Sequence, residues 1–175
     1  MIKLINILKE AKNVGSLYHS TSGENLISIL KSNNLKVNTQ GDYSSFDNQV
    51  SFTRDKDYRP GAYTIEVDGT KLSNKYKIEP FAFSIGSIRG TRGEAEEVVK
   101  QDIIDIKKYI TSIYANIELV EDRPYKELES ILKLYPSLKF TVGGNVGHVN
   151  NAERSEVVRE LPKQEALTYL KYSKY

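Results

Sequence analysis

A histidine and hydroxyl side chains lie within the short apolar stretch at residues 17–21, and they are the residues best suited to chemistry. The chain contains two histidines, and His19 is one of them. Side chains alternate along a strand, so His19 and Thr21 are predicted to share a face. There they could form hydrogen bonds with ribose hydroxyls or with an amide. A buried histidine bonded to the backbone, with Thr21 capping the next helix, is the structural alternative.

Three glutamates, Glu94, Glu96 and Glu97, form the second candidate cluster. In a strand, Glu94 and Glu96 lie on one side and Glu97 on the other. A carboxylate at a strand end beside a cleft can bind a ribose hydroxyl and stabilise an oxocarbenium-like centre while a leaving group departs. The cluster is also typical of a solvated acidic segment at the start of a helix.

Other reactive patterns receive little support. The glycine-rich segment 143–148 has neither the Lys-Ser/Thr of a phosphate-binding loop nor the frame of a dinucleotide fingerprint, so it predicts a turn. Two distant histidines, no cysteine and no clustered aspartates argue against a metal site. No Gly-x-Ser-x-Gly nucleophile elbow occurs.

The composition indicates one soluble globular domain. The chain has 175 residues, of which 39% are hydrophobic and 27% charged. Its length and hydrophobic content are sufficient to bury one core. A net charge of +2 gives no reason to expect a broad surface for nucleic acid. The absence of cysteine excludes disulfides. No apolar run is long enough for a membrane helix and no signal peptide is recognisable, so we expect a cytoplasmic protein without membrane partners.

Periodicity and punctuation predict the elements that position these residues. Helices are expected at 2–12, after a capping box that starts at Thr21, at 103–117 on a face of five isoleucines, at 124–135, and from 162 to about 172. Strands are expected at 17–21, 35–37, 50–53, 63–67, 76–83, near 96–99 and at 138–142, with loops up to Asn48 and at 84–93. Pro80 makes the 76–83 segment an edge or irregular strand. The order of these predicted helices and strands along the chain predicts a single α+β domain.

In combination, these pieces resemble the ADP-ribosyltransferase superfamily. Residues 18–21 are similar to the Tyr-His-x-Thr opening of its poly(ADP-ribose)-polymerase-like and DarT-like branches, and Glu94-Ala95-Glu96 is similar to the Glu-x-Glu of its toxin-like branch. The toxin-like branch normally opens with an arginine, so this chain mixes two signals. The likeness covers about residues 17–99, follows an N-terminal helix at 1–14 and leaves 100–175 as an extension. The sequence is also similar in style to small proteins of tailed phages.

The resemblance implies a split β-sheet cleft that binds NAD as co-substrate and transfers ADP-ribose to a macromolecule, a host protein above all. Glu96 would then be the catalytic carboxylate, Glu94 would face the acceptor and Glu97 would be the fallback. The implied NAD-binding residues are Tyr18, His19, Thr21, Ser51 and Thr53, with Tyr58 or Tyr63 stacking on nicotinamide, and the loop arginines Arg89 and Arg92 meeting the pyrophosphate or an anionic target. No metal is implied.

Three other function classes stay open. A non-catalytic module on the same fold could bind a nucleotide or a host protein. A relative could modify DNA or RNA, or transfer a 2′-phosphate, although the near-neutral charge argues weakly against it. A structural component of a virion is the third. Incubation with labelled NAD and a host lysate, followed for transferred label or released nicotinamide, is the most informative single test.

Overall fold

A computed structural model describes residues 13–39, 48–58, 60–80, 96–116, 125–143, 159–160, 164–165 and 167–168. These residues form a mixed fold of strands with a few helices. The strands are β1 (Ser16–Thr21), β2 (Asn34–Leu35), β3 (Val50–Thr53), β4 (Tyr63–Asp68), β5 (Glu79–Pro80), β6 (Glu96–Val99), β7 (Ile103–Ile104), β8 (Ile110–Asn116), β9 (Lys139–Gly143) and β10 (Arg159–Glu160). The helices are α1 (Gly23–Ser32), α2 (Gly69–Ser73), α3 (Tyr125–Leu132) and a 3₁₀ turn, Ile106–Lys108.

One sheet organises the described part of the chain. Its strand order is β10-β9-β8-β4-β1-β3-β6-β5, and its pairs are antiparallel except for the parallel pair β8–β9. A separate two-stranded sheet pairs β2 with β7. The strands predicted at 17–21, 50–53, 63–67 and near 96 therefore lie side by side, with β1 between β4 and β3. That part of the sequence prediction is confirmed.

One face of the sheet carries the core. The core residues of β3 and β4 lie at every second position. The buried hydrophobic side chains join into one cluster with α1 and α3. The members from the central strands are Leu17, Phe52, Ile65, Val67, Val99 and Ile113. The opposite face of the same strands is rich in hydroxyls, for example Ser16, Ser20 and Thr64.

Helix α1 begins one residue later than its capping box predicts. The N-cap is Ser22, whose hydroxyl accepts a hydrogen bond from the backbone N–H of Asn25 at 3.3 Å. Thr21 is instead the last residue of β1. The helix ends at Asn33, which adopts a left-handed conformation with φ of 56° at the C-cap. The helix predicted from residue 124 is also confirmed as α3.

The helix predicted at 103–117 is wrong. This segment instead forms β7, the 3₁₀ turn and β8 as far as residue 116. Asp105 has a left-handed φ of 59°, which ends any continuous helix there. The isoleucines are β-branched and favour strands, and Ile103, Ile106 and Ile113 are still fully buried. The spacing identified core residues correctly but assigned them the wrong backbone.

Several smaller expectations differ in extent. The strand predicted at 35–37 is β2, which begins one residue earlier and is shorter, and Asp68 is the N-cap of α2. Pro80 does lie at the sheet edge, in β5. Strand 138–142 is confirmed as β9. The helix at 2–12 and the loop at 84–93 lie outside the described residues, and only residues 164–165 and 167–168 of the last predicted helix are described as helical.

Candidate functional site

The candidate site is a cleft of about 610 Å³ where β1 and β3 part. Strand β1 pairs with β4 along its whole length, from Ser16 to Thr21. Its pairing with β3 is restricted to Tyr18 opposite Thr53. Beyond that pair the C-terminal half of β1 and the beginning of β3 line the two walls of the cleft. Its volume is within the usual range for small-molecule sites.

Most of the described residues that line the cleft are polar, and they carry little charge. Helix α1, the segment after it and the start of β3 supply most of the wall: Asn25, Ser28, Ile29, Ser32, residues 34–38, Gln49, Val50 and Ser51, with His19, Ser20 and Thr21 from β1. Among these residues Lys36 is the one side chain with a full charge, and none is a carboxylate. Hydroxyls and carboxamides can both donate and accept hydrogen bonds, which suits sugar hydroxyls and polar rings.

His19 is held by its neighbours on β3. Its Nδ1 lies 2.9 Å from the backbone oxygen of Ser51. Its ring makes an edge contact with the ring of Phe52, at 5.9 Å between centroids and 62° between planes. If the pairing of Tyr18 with Thr53 continued along the strands, Ser51 would lie opposite Ser20. The imidazole of His19 instead bonds the Ser51 carbonyl at the point where the two strands separate.

This contact determines that Nδ1 carries a hydrogen. A carbonyl oxygen only accepts, so the His19 Nδ1 must carry the hydrogen and donate it. Burial lowers the pKa of His19 below its ordinary value of 6.5, and the bond to Ser51 opposes this in part. The neutral ring then has Nε2 as an acceptor. A neutral imidazole with its acceptor nitrogen available can receive a hydrogen bond from a ligand hydroxyl.

Thr21 closes the same wall at the end of β1. It is 9% exposed and pairs with Tyr63 on β4. Gly61, just before β4, approaches its backbone so closely that a Cβ there would lie 2.9 Å from both the nitrogen and the oxygen of Thr21. Tyr63 belongs to the buried core, with 1% of its surface exposed, and burial raises its pKa to about 12. Tyr63 is therefore not among the residues that line the cleft.

The register of β6 separates the two described glutamates. Glu97 lies opposite Phe52, and Glu96 lies opposite Thr53. Since Phe52 contacts His19 and Thr53 pairs with Tyr18, Glu97 belongs to the face of His19 and position 96 to the other face. The sequence analysis favours Glu96 as the catalytic carboxylate and Glu97 as the fallback, whereas the register places Glu97 on the face of His19. Neither glutamate is among the described residues that line the cleft.

Glu97 is already engaged by an arginine. Its Oε1 lies 2.7 Å from Nε of Arg54, and the Glu97 side chain is 13% exposed. Nη1 of Arg54 also donates to the backbone oxygen of Val14 at 3.1 Å. A charge-assisted hydrogen bond from Arg54 therefore orients the Glu97 carboxylate on the strand position opposite Phe52.

The remaining predicted site residues are dispersed. Ser51 lines the cleft, where its backbone binds His19. Thr53 is buried, and its hydroxyl accepts from the N–H of Asp55. Tyr18 pairs with Thr53 and Glu66 and is not among the described residues that line the cleft. Tyr58 follows β3 in a turn, where its backbone N–H donates to the backbone oxygen of Asp55. Three predicted residues lie outside the described part of the chain: Arg89, Arg92 and Glu94.

Sequence reasoning missed the helix wall of the cleft. Asn25, Ser28 and Ser32 follow one another at helical spacing along α1 and line the cleft together. The apolar residues of this helix dominated the sequence pattern. A stripe of small polar residues beside an apolar face was the signal that could have found them. Gln49 was missed as well, and nothing in its sequence context marks it.

Two further structural findings concern function classes. Within the described ranges, no three His, Cys, Asp or Glu side chains are grouped so that they could hold a metal ion. Among the helices in the part of the chain that the structure describes, none is both long and apolar enough to cross a membrane.

Comparison with known proteins gives no family assignment for this chain. No protein-family model matches it, and no curated protein is significantly similar to it.

Proposed function

We propose that this chain is an NAD-dependent ADP-ribosyltransferase whose cleft between β1 and β3 binds the nicotinamide–ribose part of NAD. The observation that carries the proposal is the position of His19. It lines the cleft, its Nδ1 is used by Ser51, and its Nε2 is left as an acceptor for a ribose hydroxyl. Thr21 on the same face adds a hydroxyl beside it. The likeness of residues 17–99 to the superfamily gives the same assignment.

The proposed reaction transfers the ribose from nicotinamide to a nucleophile on the acceptor. The bond between the ribose C1 and the nicotinamide nitrogen breaks, and its electron pair leaves with nicotinamide, which becomes neutral. The positive charge passes to the ribose as an oxocarbenium-like centre. A nucleophile of the acceptor then bonds to C1 and loses its proton. His19 and Thr21 hold the ribose so that this attack is in line.

A carboxylate near the ribose would stabilise the developing positive charge. Two observations favour Glu97 over Glu96: it shares the face of His19, and Arg54 holds its carboxylate in one orientation. Electrostatic stabilisation of this kind is effective when the group is oriented before the reaction begins. Tyr58 is the described aromatic that we propose for stacking on nicotinamide, whose cationic ring is attracted by an aromatic face. Arg89 and Arg92 are proposed for the pyrophosphate or the target.

The decisive experiment measures nicotinamide released from NAD by the purified protein with and without a host-cell lysate. Variants Glu97→Gln and Glu96→Gln keep the side-chain shape and remove the charge. We expect Glu97→Gln to lower the release rate by about 100- to 1,000-fold while NAD affinity changes little. We expect Glu96→Gln to stay near wild type. The opposite pattern would assign the reaction to Glu96, and absence of NAD binding would overturn the proposal.

The acceptor is proposed to be a protein, and the same assay identifies its class. After incubation with labelled NAD and lysate, label attached to protein is lost on protease treatment and survives nuclease. Loss of the label on nuclease treatment would instead assign the activity to a nucleic-acid-modifying relative.

A non-catalytic binding module is the second candidate, and two observations favour it. The described lining of the cleft contains no carboxylate, and Glu97 is bonded to Arg54 rather than directed to a free position. A module of this kind binds NAD or a related nucleotide, releases no nicotinamide with any lysate, and shows the same nucleotide affinity in both glutamine variants.

A further inference from the structure

We propose that Gln49 is a specificity-determining residue of the cleft, whose side-chain amide donates a hydrogen bond to an acceptor atom of the bound nucleotide. The inference rests on the proposed function, because the nucleotide is the one that the cleft is proposed to bind. Its starting point is a polar group that the described part of the chain leaves without a hydrogen-bond partner.

Gln49 lines the cleft and is 6% exposed. Its Nε2 is buried, and it has no hydrogen-bond partner among the residues that the structure describes. Buried side-chain donors are nearly always paired, because leaving one unpaired costs the desolvation of the group without compensation. An unpaired donor in the wall of a binding cleft is therefore a group that a ligand can complete.

The backbone of Gln49 does not need its side chain to be held in place. The N–H of Asn38 donates to the backbone oxygen of Gln49 at 3.0 Å, and the N–H of Asn48 donates to the oxygen of Asn38 at 2.7 Å. Asn48 itself has a left-handed φ of 60°. These two bonds join the segment before β3 to the segment after β2, so the carboxamide is not required for that connection.

The side-chain amide of Gln49 can distinguish between ligands that the rest of the cleft lining would bind equally well. Most of the described lining consists of hydroxyls and carboxamides that both donate and accept, and these tolerate many polar ligands. An Nε2 group only donates. It therefore favours a ligand that presents a carbonyl oxygen, a ring nitrogen or a phosphate oxygen at that place. The carboxamide turns about its last side-chain bond, which is a soft torsion, to direct the donor toward the ligand.

The test compares Gln49→Met with the wild type by calorimetric titration with NAD and by thermal unfolding. Methionine has nearly the length of glutamine and no donor. We expect the Kd for NAD to rise by about tenfold, as for one lost hydrogen bond. We also expect Tm to stay the same or to rise by about 2–4 °C, because the unpaired group is gone. Gln49→Leu is a second variant with the same loss of the donor.

The matched control is Gln101→Met, the same exchange at an exposed glutamine that is not part of the cleft lining. We expect its Kd for NAD to equal that of the wild type. A fall in Tm with unchanged Kd in both Gln49 variants would overturn the inference, since Gln49 would then be structural. Absence of NAD binding by the wild type is a different result, and it would overturn the proposed function and this inference together.

Discussion

The Nδ1 of His19 donates a hydrogen bond to the backbone oxygen of Ser51 on the neighbouring strand, at 2.9 Å. This contact lies where β1 and β3 stop pairing, so the histidine side chain takes the place of a further rung of the ladder. It orients the ring and specifies the nitrogen that carries the hydrogen. The two nitrogens therefore have different tasks: Nδ1 is structural, and Nε2 is available for a ligand.

We predict that His19→Asn weakens NAD binding without unfolding the protein. An asparagine amide reaches about as far as Nδ1 and can still donate to Ser51, but it has no atom at the position of Nε2. The loss of one hydrogen bond to the ribose corresponds to roughly a 2- to 12-fold rise in Kd. Calorimetric titration measures it. The paired variant His19→Gln, which has a polar atom near Nε2, should bind more tightly than His19→Asn, and equal affinity of wild type and both variants would contradict this role.

We predict that the stability of the wild type falls as the pH drops below about 6.5, the ordinary pKa of histidine. Burial lowers the pKa of His19 in the folded state. Between the lowered folded pKa and the unfolded pKa, the unfolded chain binds the extra proton, so stability rises with pH across that window and is lost on acidification. Denaturant unfolding at several pH values measures the slope. His19→Asn should show a shallower slope in this window, and an unchanged slope would assign the effect to other groups.

The core strands could be predicted from the sequence because each has a clear period of two. Apolar and polar residues alternate along Val50–Thr53 and Tyr63–Asp68, and turn residues bound them. The 103–117 segment failed for a physical reason. Its isoleucine spacing fits a helix face, whereas Asp105 in a left-handed conformation interrupts the backbone. A local spacing pattern carries no information on where a single residue in a left-handed conformation interrupts a helix.

The candidate site could be predicted only in part. His19 and Thr21 were identified because two alternating polar residues on an apolar strand are unusual. The relation of Glu96 and Glu97 to His19 depends on how β3 pairs with both β1 and β6. That register is a long-range property, and a shift of one residue exchanges the two faces. The cleft lining from α1 and Gln49 likewise depends on packing between segments distant in sequence.

We predict that Ser22→Ala destabilises the protein by about 1 kcal/mol, the usual cost of losing an N-cap. The Ser22 hydroxyl accepts from the N–H of Asn25 at the start of α1, the helix that forms one wall of the cleft. Ser22→Asp supplies another capping oxygen and should keep the wild-type stability. Urea unfolding at constant pH gives both values. If Ser22→Ala is as stable as Ser22→Asp, the cap at this position contributes nothing measurable.

The last prediction concerns Gly61, whose missing side chain lets the chain approach Thr21. A Cβ at this position would lie 2.9 Å from both the backbone nitrogen and the backbone oxygen of Thr21, so alanine must push the end of β1 away. We expect Gly61→Ala to cost about 1–3 kcal/mol of stability, as overpacking does, and to weaken NAD binding because Thr21 moves in the cleft wall.

The matched control for this prediction is Gly15→Ala. Gly15 has a φ of +72° and no atom within 4 Å of an added Cβ, and it precedes the other end of β1. Alanine there is strained by its backbone alone, so stability should fall while the Kd for NAD stays at the wild-type value. Unfolding curves and titrations of the two variants separate the effects. An NAD affinity that is equal in Gly61→Ala and Gly15→Ala would show that the end of β1 does not contact the ligand, and the nucleotide would then have to bind away from Thr21.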